Sequence, residues 1–222
     1  MLNDGWEHSD VMTSDGEVLQ VEVEEYLAWF NRGNLLDDLG LYQEAVAAYQ
    51  QSLKVNPDYE DAWNSLGAVF CDQLEMYEEA LKCFDQALRI DYLDNFAWYN
   101  RGNVLEHLGR YEDAIASYNL ALKINSEDEM AWYSRGWALY EMGEFESAIA
   151  SFNQALKIKP QDDSSWYNKA CCYAVLGNVK KAVESLRKAI KLSPNQYLQL
   201  AKTEADFDEI RNDVDFWMLV SR

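Results

Sequence analysis

The side chains most able to carry out catalysis are few and lie far apart along the chain. Two histidines, His8 and His107, cannot assemble a metal cluster or divide acid–base roles between them. They are accompanied by neither a glycine-rich phosphate loop nor a Ser–His–Asp setting. The adjacent carboxylates of Asp162 and Asp163 stand where a helix is expected to start, and acids there are favoured by the helix dipole. The sequence therefore predicts no enzyme, no cofactor and no metal site.

The cysteine spacing fits neither a zinc site nor a redox pair. The four cysteines are Cys71, Cys83, Cys171 and Cys172. We expect free thiols in a reducing compartment. The first residues have no basic start followed by an apolar segment, and no stretch approaches the ~20 apolar residues that span a bilayer. These features predict a cytoplasmic protein without direct membrane insertion.

The composition is that of a folded and strongly acidic chain. Of 222 residues, 49% are hydrophobic, far above the share in a disordered acidic chain. The formal net charge of −20 argues against nucleic-acid binding, which needs a basic surface. Residues 1–94 hold 21 acids and 4 bases, whereas residues 163–222 hold 8 acids and 9 bases. The negative charge is therefore concentrated toward the amino end of the chain.

A local basic cluster lies near the carboxyl end. Its members are Lys180, Lys181, Arg187, Lys188 and Lys191. We interpret it first as the solvated outer face of a helix. The alternative is a contact with an anionic partner or with the acidic end of a second copy.

Tryptophan marks an internal repeat along most of the chain. Five of the eight tryptophans are each followed four residues later by a small residue, and neighbouring ones are 34, 35, 34 and 34 residues apart. They are Trp29, Trp63, Trp98, Trp132 and Trp166. A fixed period of this length is the signature of an array built from one supersecondary unit.

Each unit has the pattern of a helix hairpin. Both halves show apolar residues at i, i+3, i+4 and i+7, which is typical of amphipathic helices. A glycine such as Gly40 or Gly109 separates the halves and suits the end of a first helix. Pro57, Pro160 and Pro194 end the second half in three units. Because one hairpin cannot bury its own apolar face, the hairpins are expected to stack.

This pattern resembles the tetratricopeptide repeat (TPR) family. The resemblance implies an all-α fold, an α-solenoid in which antiparallel helix hairpins form a right-handed superhelix. It covers residues 26–196 in five units, which are 26–59, 60–94, 95–128, 129–162 and 163–196. The second unit has one extra residue, no glycine between its halves, and Tyr92 where proline stands elsewhere. We expect a longer first helix or a bulged turn there.

The two ends of the chain lie outside the repeats. Residues 1–25 hold eight acids and no lysine or arginine, which predicts a flexible acidic arm. The alternatives are an arm that packs on the first hairpin or one that occupies the groove. Residues 197–222 are expected to form capping helices over the last hairpin. The alternative for that segment is a dimer contact through Phe216 and Trp217.

In TPR arrays the first helix of every unit lines the concave face, so the resemblance implies a binding groove there. Residues at corresponding positions of these helices are aromatic or carry an amide. We predict partner-binding residues at Phe30, Asn34, Tyr99, Asn103, Tyr133, Trp137, Tyr140 and Tyr167. The amides can hold a peptide backbone. Chaperone-tail receptors of the family have a basic residue at the position of Phe30, so that activity is not expected.

One of these first helices concentrates aromatic residues. Trp137 has Tyr133 four residues before it and Tyr140 three residues after it, so the three share one helix face. Aromatic side chains on a partly wet surface are typical binding anchors. The alternative is that Trp137 packs on its neighbours and only tightens the array.

Acidic residues are expected to border the same groove. This acidic rim consists of Asp37, Asp38, Asp72, Glu106 and Glu141. It predicts a protein partner, bound as a peptide or a helix, that is basic and partly apolar.

The sequence therefore predicts a protein–protein interaction scaffold. The first alternative is a self-assembling structural element, in which the basic carboxyl end of one chain meets the acidic amino end of the next. A weaker alternative is an assembly factor or co-chaperone for a larger complex, which no residue selects.

Overall fold

The chain is an all-α solenoid, as the repeat pattern predicts. The computed structural model describes residues 15–221, with side chains from residue 24 onward. Within these residues there are helices and no β-strand. The α-helices are α1 (Asp15–Asp38), α2 (Tyr42–Val55), α3 (Glu60–Ala68), α4 (Tyr77–Ile90), α5 (Asn95–His107), α6 (Tyr111–Ile124), α7 (Glu129–Glu141), α8 (Phe145–Ile158), α9 (Asp163–Val175), α10 (Val179–Leu192), α11 (Pro194–Thr203) and α12 (Val214–Val220). A π-helical segment covers Val69–Gln73 and a 3₁₀ helix covers Ala205–Ile210.

Two compact units make up the chain and are described separately. They are unit 1, Met1–Glu75, and unit 2, Met76–Arg222. The boundary falls inside the predicted repeat 60–94, between its two helices. In unit 2 each helix from α4 to α10 packs against the next.

The hairpin turns follow from glycine and from the residues around it. Gly109, between α5 and α6, has a φ of 69°, a left-handed conformation that L side chains rarely adopt. Its N–H donates to the Glu106 carbonyl at 2.9 Å, and the next N–H, of Arg110, donates to the Leu105 carbonyl at 2.8 Å. These bonds satisfy the last carbonyls of α5 and reverse the chain. At the other end of α5, Asp94 accepts a hydrogen bond from the Phe96 N–H as the N-cap.

The predicted acidic arm is partly wrong. Helix α1 begins at Asp15, so residues 15–25 extend the first repeat helix instead of forming a flexible arm. Residues 1–14 of the predicted arm lie outside the described residues. The hydroxyl of Ser52 in α2 donates to the Tyr26 carbonyl at 2.8 Å and holds this helix against its partner.

The extra residue of the second repeat is absorbed inside its first helix. Together α3 and the π segment span 60–73, whereas the first helix of the next repeat, α5, spans Asn95–His107. The Leu74 N–H donates a hydrogen bond at 3.2 Å to the carbonyl of Val69, five positions earlier. This wider π-helical turn accommodates the inserted residue. Glu75 then takes the hinge position with a φ of 53°. The prediction of a longer first helix or a bulged turn is confirmed.

The repeat tryptophans hold the loops that precede their own helices. In the third repeat, the Trp98 indole N–H donates to the Tyr92 carbonyl at 2.9 Å. The Arg101 guanidinium lies 5.6 Å from the Trp98 ring and pairs with Asp85 at 2.8 Å. The same indole-to-carbonyl bond recurs at Trp63, Trp132 and Trp166. These tryptophans are therefore structural.

The carboxyl-terminal segment closes the last hairpin. Helix α11 and helix α12 pack on α10, and the 3₁₀ helix between them packs on α9. Phe207 and Phe216 are completely buried there, with ring centres 5.3 Å apart. Phe216 therefore cannot form the dimer contact considered above, whereas Trp217 is 62% exposed.

Candidate functional site

The first helices of unit 2 bring most of the predicted groove residues together. The predicted groove residues of α5 and α7 form what we call the α5–α7 surface. Its side chains are those of Tyr99, Asn103, Glu106, Tyr133, Trp137, Tyr140 and Glu141. Helices α5 and α7 contact each other, and the negative charge of Glu141 on α7 raises the pKa of Glu106 on α5.

A tyrosine from a second helix organises this surface. Tyr118 of α6 is completely buried, and its hydroxyl lies 2.9 Å from Asn103 Oδ1 and 3.1 Å from Glu106 Oε2. Burial and the Glu106 carboxylate raise the pKa of Tyr118, so this hydroxyl stays protonated and donates. Sequence reasoning missed Tyr118, because the second helices were not expected to reach the groove.

Close approach of α5 and α6 makes this reach possible. A Cβ added at Gly102 would lie 2.4 Å from the Tyr118 ring, and one added at Gly136 would lie 2.7 Å from the Phe152 ring. Glycine is therefore required at positions of the first helix where an aromatic ring of the second helix packs directly against the backbone. The signal for this was in the sequence, as the glycine and the aromatic residue recur together.

The side-chain oxygen of each predicted asparagine already accepts a hydrogen bond from a tyrosine. In unit 1, Tyr49 donates to Asn34 Oδ1 at 2.8 Å, just as Tyr118 does to Asn103. The fourth repeat has Phe152, which carries no hydroxyl, and Trp137 replaces the asparagine there. Each asparagine keeps its amide N–H₂ group for another acceptor.

Glu106 is a partly buried carboxylate without a cation. Burial and the nearby Glu141 raise its pKa above the usual value of 4.5, and the Tyr118 hydrogen bond opposes this shift. Among residues 24–221 no Lys, Arg or His forms an ion pair with Glu106. The surface therefore presents negative charge at a site poorly screened by water.

The aromatic residues of this surface divide into two groups. Trp137 and Tyr140 stack with ring centres 5.3 Å apart and an angle of 22°, and both remain partly exposed. Tyr99 and Tyr133 rest instead on the buried rings of Tyr118 and Phe152, 6.0 and 5.9 Å away. All four rings are partly exposed, and Trp137 and Tyr140 are the two that stack on each other.

Tyr167, the predicted anchor on α9, is not open. It is 7% exposed and stacks on Tyr197 of α11 at 4.7 Å, with Phe207 against its edge at 6.0 Å. Tyr140 at the border of the same area donates a hydrogen bond to Asp206. The correction has a physical cause, because the carboxyl-terminal segment folds back over the first-helix side of α9.

Unit 1 carries the remaining predicted residues. Phe30 packs edge-on against Tyr59, with ring centres 5.0 Å apart. Burial raises the pKa of Asp37, and the charges of Asp38 and Asp72 raise it further.

The basic cluster of α10 is solvated, as the sequence predicts, and the cysteines are unbridged. Lys180, Lys181, Arg187, Lys188 and Lys191 are exposed. All four cysteines are free and buried, and burial raises the pKa of Cys71, Cys83 and Cys172 to about 12. In the described part of the chain no group of His, Cys, Asp or Glu could hold a metal, and no helix there could cross a membrane.

Solved structures with the same fold are known. YrrB, described as a TPR protein with an unusual peptide-binding site, has a TM-score of 0.71 and 28% identity, and the match covers 83% of this chain and 95% of that one. A MamA structure has a TM-score of 0.73 and 23% identity, covering 82% of this chain and 96% of that one. MamA from Desulfovibrio magneticus RS-1 has a TM-score of 0.73 and 19% identity, covering 78% and 97%. A search of curated protein sequences found no significant match.

Family models agree with the repeat pattern over most of the chain. Three models, each described as tetratricopeptide repeat, match residues 26–59 and 96–128, residues 60–92, and residues 131–197. Together with the helix hairpins of the structure, these matches establish that the chain belongs to the tetratricopeptide repeat family.

Proposed function

We propose that this chain is a protein-interaction scaffold that holds a peptide or helix of a partner protein on the α5–α7 surface. The observation that carries the proposal is the stacked pair Trp137–Tyr140, which lies partly exposed on the same surface as the uncompensated carboxylate of Glu106. Members of this family are typically interaction modules and not enzymes. The likeness to YrrB, which is described as having a peptide-binding site, supports the same conclusion.

The chemistry of the surface defines the partner. A partly buried carboxylate without a cation favours a lysine or arginine from the partner, because the new ion pair forms away from bulk water. The indole and phenol rings offer apolar contact beside it. The free amide group of Asn103 can donate to a backbone carbonyl. A basic and partly apolar segment satisfies all three groups.

A panel of defined peptides tests this assignment. The first peptide is an amphipathic helix with leucine on one face and lysine on the other, the second replaces lysine by glutamate, and the third replaces leucine by serine. We expect the first to bind and the other two to bind at least about tenfold more weakly, a difference of ~1.4 kcal/mol. Fluorescence anisotropy measures the three affinities. Equal binding of the glutamate peptide would contradict the assignment.

The charge asymmetry favours one second candidate, head-to-tail self-assembly. The exposed basic face of α10 could meet the acidic amino-terminal part of another copy, a heterologous contact that gives rings or filaments. Light scattering over a range of protein concentration and salt separates the candidates. Growth of the particle mass at low salt supports assembly, whereas a monomer at every concentration excludes it. No residue favours the role of an assembly factor.

A further inference from the structure

Two open grooves lie beside the second helices of unit 2. The first has a volume of about 400 Å³ and is lined by α6, α7 and α8, so we call it the α6–α8 groove. The second has a volume of about 470 Å³ and is lined by α8 and α9, so we call it the α8–α9 groove. The two are neighbours, because Ala150 and Gln154 of α8 line both.

Both grooves contain the same set of side chains. Each has a tryptophan ring, a cation three residues after that tryptophan, and a lysine from the last turn of a second helix. These are Trp132, Arg135 and Lys123 in the α6–α8 groove, and Trp166, Lys169 and Lys157 in the α8–α9 groove. Among the described residues that line the grooves there is no Asp or Glu, although the chain holds 39 acids. The grooves are therefore locally basic in an acidic protein.

The tryptophan rings are fixed walls of these grooves. The indole N–H of Trp132 donates to the Ser126 carbonyl at 2.9 Å, and that of Trp166 donates to the Pro160 carbonyl at 3.0 Å. Both rings remain partly exposed, whereas Trp98 of the third repeat is buried. An apolar side chain of a ligand can therefore pack on a ring that is already held in place.

The cations of the two grooves lack the carboxylate that the third repeat supplies. Arg101 pairs there with Asp85 of α4 through its Nε atom at 2.8 Å. The same atom of Arg135 donates instead to Asn119 Oδ1 at 2.7 Å, so a neutral amide stands in place of the acid. Within residues 24–221 neither Arg135 nor Lys169 forms an ion pair.

Burial makes these unpaired cations favourable partners for an anion. It lowers the pKa of both Arg135 and Lys169, because the charged groups lose part of their hydration. The charges of Glu144 and Glu184 oppose these shifts without forming an ion pair. A carboxylate that enters either groove would thus form a charge-assisted hydrogen bond at a site partly shielded from water.

We propose that the α6–α8 and α8–α9 grooves together bind an acidic segment of a partner protein. Its carboxylates pair with the cations, and its apolar side chains pack on the tryptophan rings. The amide of Gln154, which lines both grooves, can bond the backbone of the segment. A nucleic acid fits less well, because it would bring many phosphates to a chain of net charge −20.

This site is distinct from the α5–α7 surface. Arg135 and Trp137 are two positions apart on α7, which places them about 200° apart around the helix axis. The ligands also differ in charge, since the α5–α7 surface favours a basic segment. One chain can therefore hold a basic and an acidic segment at the same time.

A charge restored within the grooves tests the proposal. The probe is a short fluorescent peptide with leucine between two pairs of glutamates, and its control has glutamine in place of glutamate. The chain variant carries Asn119→Asp and Asn153→Asp, which copy the acid of the third repeat at the equivalent positions of α6 and α8. We expect it to bind the glutamate peptide at least about tenfold more weakly than the unchanged chain does, as measured by anisotropy.

A matched variant separates local pairing from net charge. It carries Asn195→Asp and Asn212→Asp, which add the same charge at exposed positions outside the grooves. This variant and Trp137→Ala should both bind the glutamate peptide as the unchanged chain does. Circular dichroism confirms that each variant is folded.

Nuclear magnetic resonance of the tryptophan indole N–H groups locates the bound peptide. The signals of Trp132 and Trp166 should shift on addition of the glutamate peptide, whereas that of Trp137 should not. Equal weakening by the two aspartate variants, shifts confined to Trp137, or equal binding of the glutamine peptide would overturn the proposal. Tighter binding of a single-stranded oligonucleotide than of the glutamate peptide would overturn the choice of a protein segment.

Discussion

At the residue scale, the α5–α7 surface depends on a side chain that belongs to neither α5 nor α7. Tyr118 passes beneath Gly102 and ends between Asn103 and Glu106, so glycine, tyrosine and the surface polar groups form one arrangement. The fifth repeat shows the alternative, with Ala170 and Leu186 both completely buried in place of the glycine and the ring. The contact between glycine and tyrosine therefore also determines which polar groups of the surface receive the tyrosine hydrogen bond.

The first prediction concerns this coupling. Gly102→Ala should destabilise the chain by about 1–2 kcal/mol, because the steric conflict with Tyr118 outweighs the better helix propensity of alanine. Urea unfolding measures the change. In a double-mutant cycle with Tyr118→Leu, which reproduces the fifth repeat, the two effects should not add. Additive effects would show that the ring is free to move away.

The second prediction concerns Glu106. Its pKa is raised in the folded state, so its ionisation opposes folding, and stability is lost as pH rises through the folded pKa. Glu106→Gln keeps an acceptor for the Tyr118 hydroxyl and should be more stable than the unchanged chain at pH 7. The difference should shrink as pH falls toward 4.5, the usual glutamate value.

Thermal unfolding at several pH values tests this claim, with exposed Glu127→Gln as the control. Because Glu127 is exposed, this control separates the effect of burial from that of removing one negative charge. A Glu106→Gln chain that is less stable than the unchanged chain at pH 7 would contradict the burial argument.

At the element scale, the second repeat shows how the fold absorbs an insertion. The π segment takes up the extra residue, and Glu75 adopts the left-handed conformation that glycine adopts in the other hinges. A left-handed conformation costs about 1–2 kcal/mol for a residue with a side chain. The hinge position of this repeat therefore carries a residue that is unfavourable there.

The third prediction uses this mismatch. Glu75→Gly should stabilise the chain by up to about 1 kcal/mol, since relief of the strained φ exceeds the added flexibility of the unfolded chain. The reciprocal change, Gly109→Glu, should destabilise it by about 1–2 kcal/mol. Chemical denaturation of both variants provides the comparison. Equal shifts in the same direction would show that backbone conformation does not govern the hinges.

How far the sequence predicts these elements depends on the range of the forces involved. The hairpins follow from local rules, namely helical spacing, hinge glycine and terminal proline, and those that lie within one unit appear in the structure as packed helix pairs. The folding back of Asp206 onto Tyr140 joins residues 66 positions apart through a short 3₁₀ helix, which has no periodic pattern. Tyr167 was therefore predicted to be open although the structure covers it.

At the scale of the whole molecule, the negative charge is concentrated in the amino-terminal part of the chain. Residues 1–94 carry a net charge of −17, from 21 acids and 4 bases. A basic partner is attracted from a distance, and salt screens this attraction beyond about 10 Å at 0.1 M. The fourth prediction is that association of the leucine–lysine peptide slows markedly between 50 and 500 mM salt while its dissociation changes little. Stopped-flow kinetics measures both rates. A dissociation rate that changes with salt while the association rate stays constant would contradict the prediction.

The central claim is that Trp137 anchors a protein partner on the α5–α7 surface. The most direct measurement is quantitative capture of proteins from the lysate of the source cell by the unchanged chain, by Trp137→Ala and by Trp217→Ala. The last is a matched control, because Trp217 is exposed and lies on α12, which packs on α10 and α11. We predict proteins that Trp137→Ala recovers at least about tenfold less well and that Trp217→Ala retains. Equal recovery by all three folded chains would contradict the account.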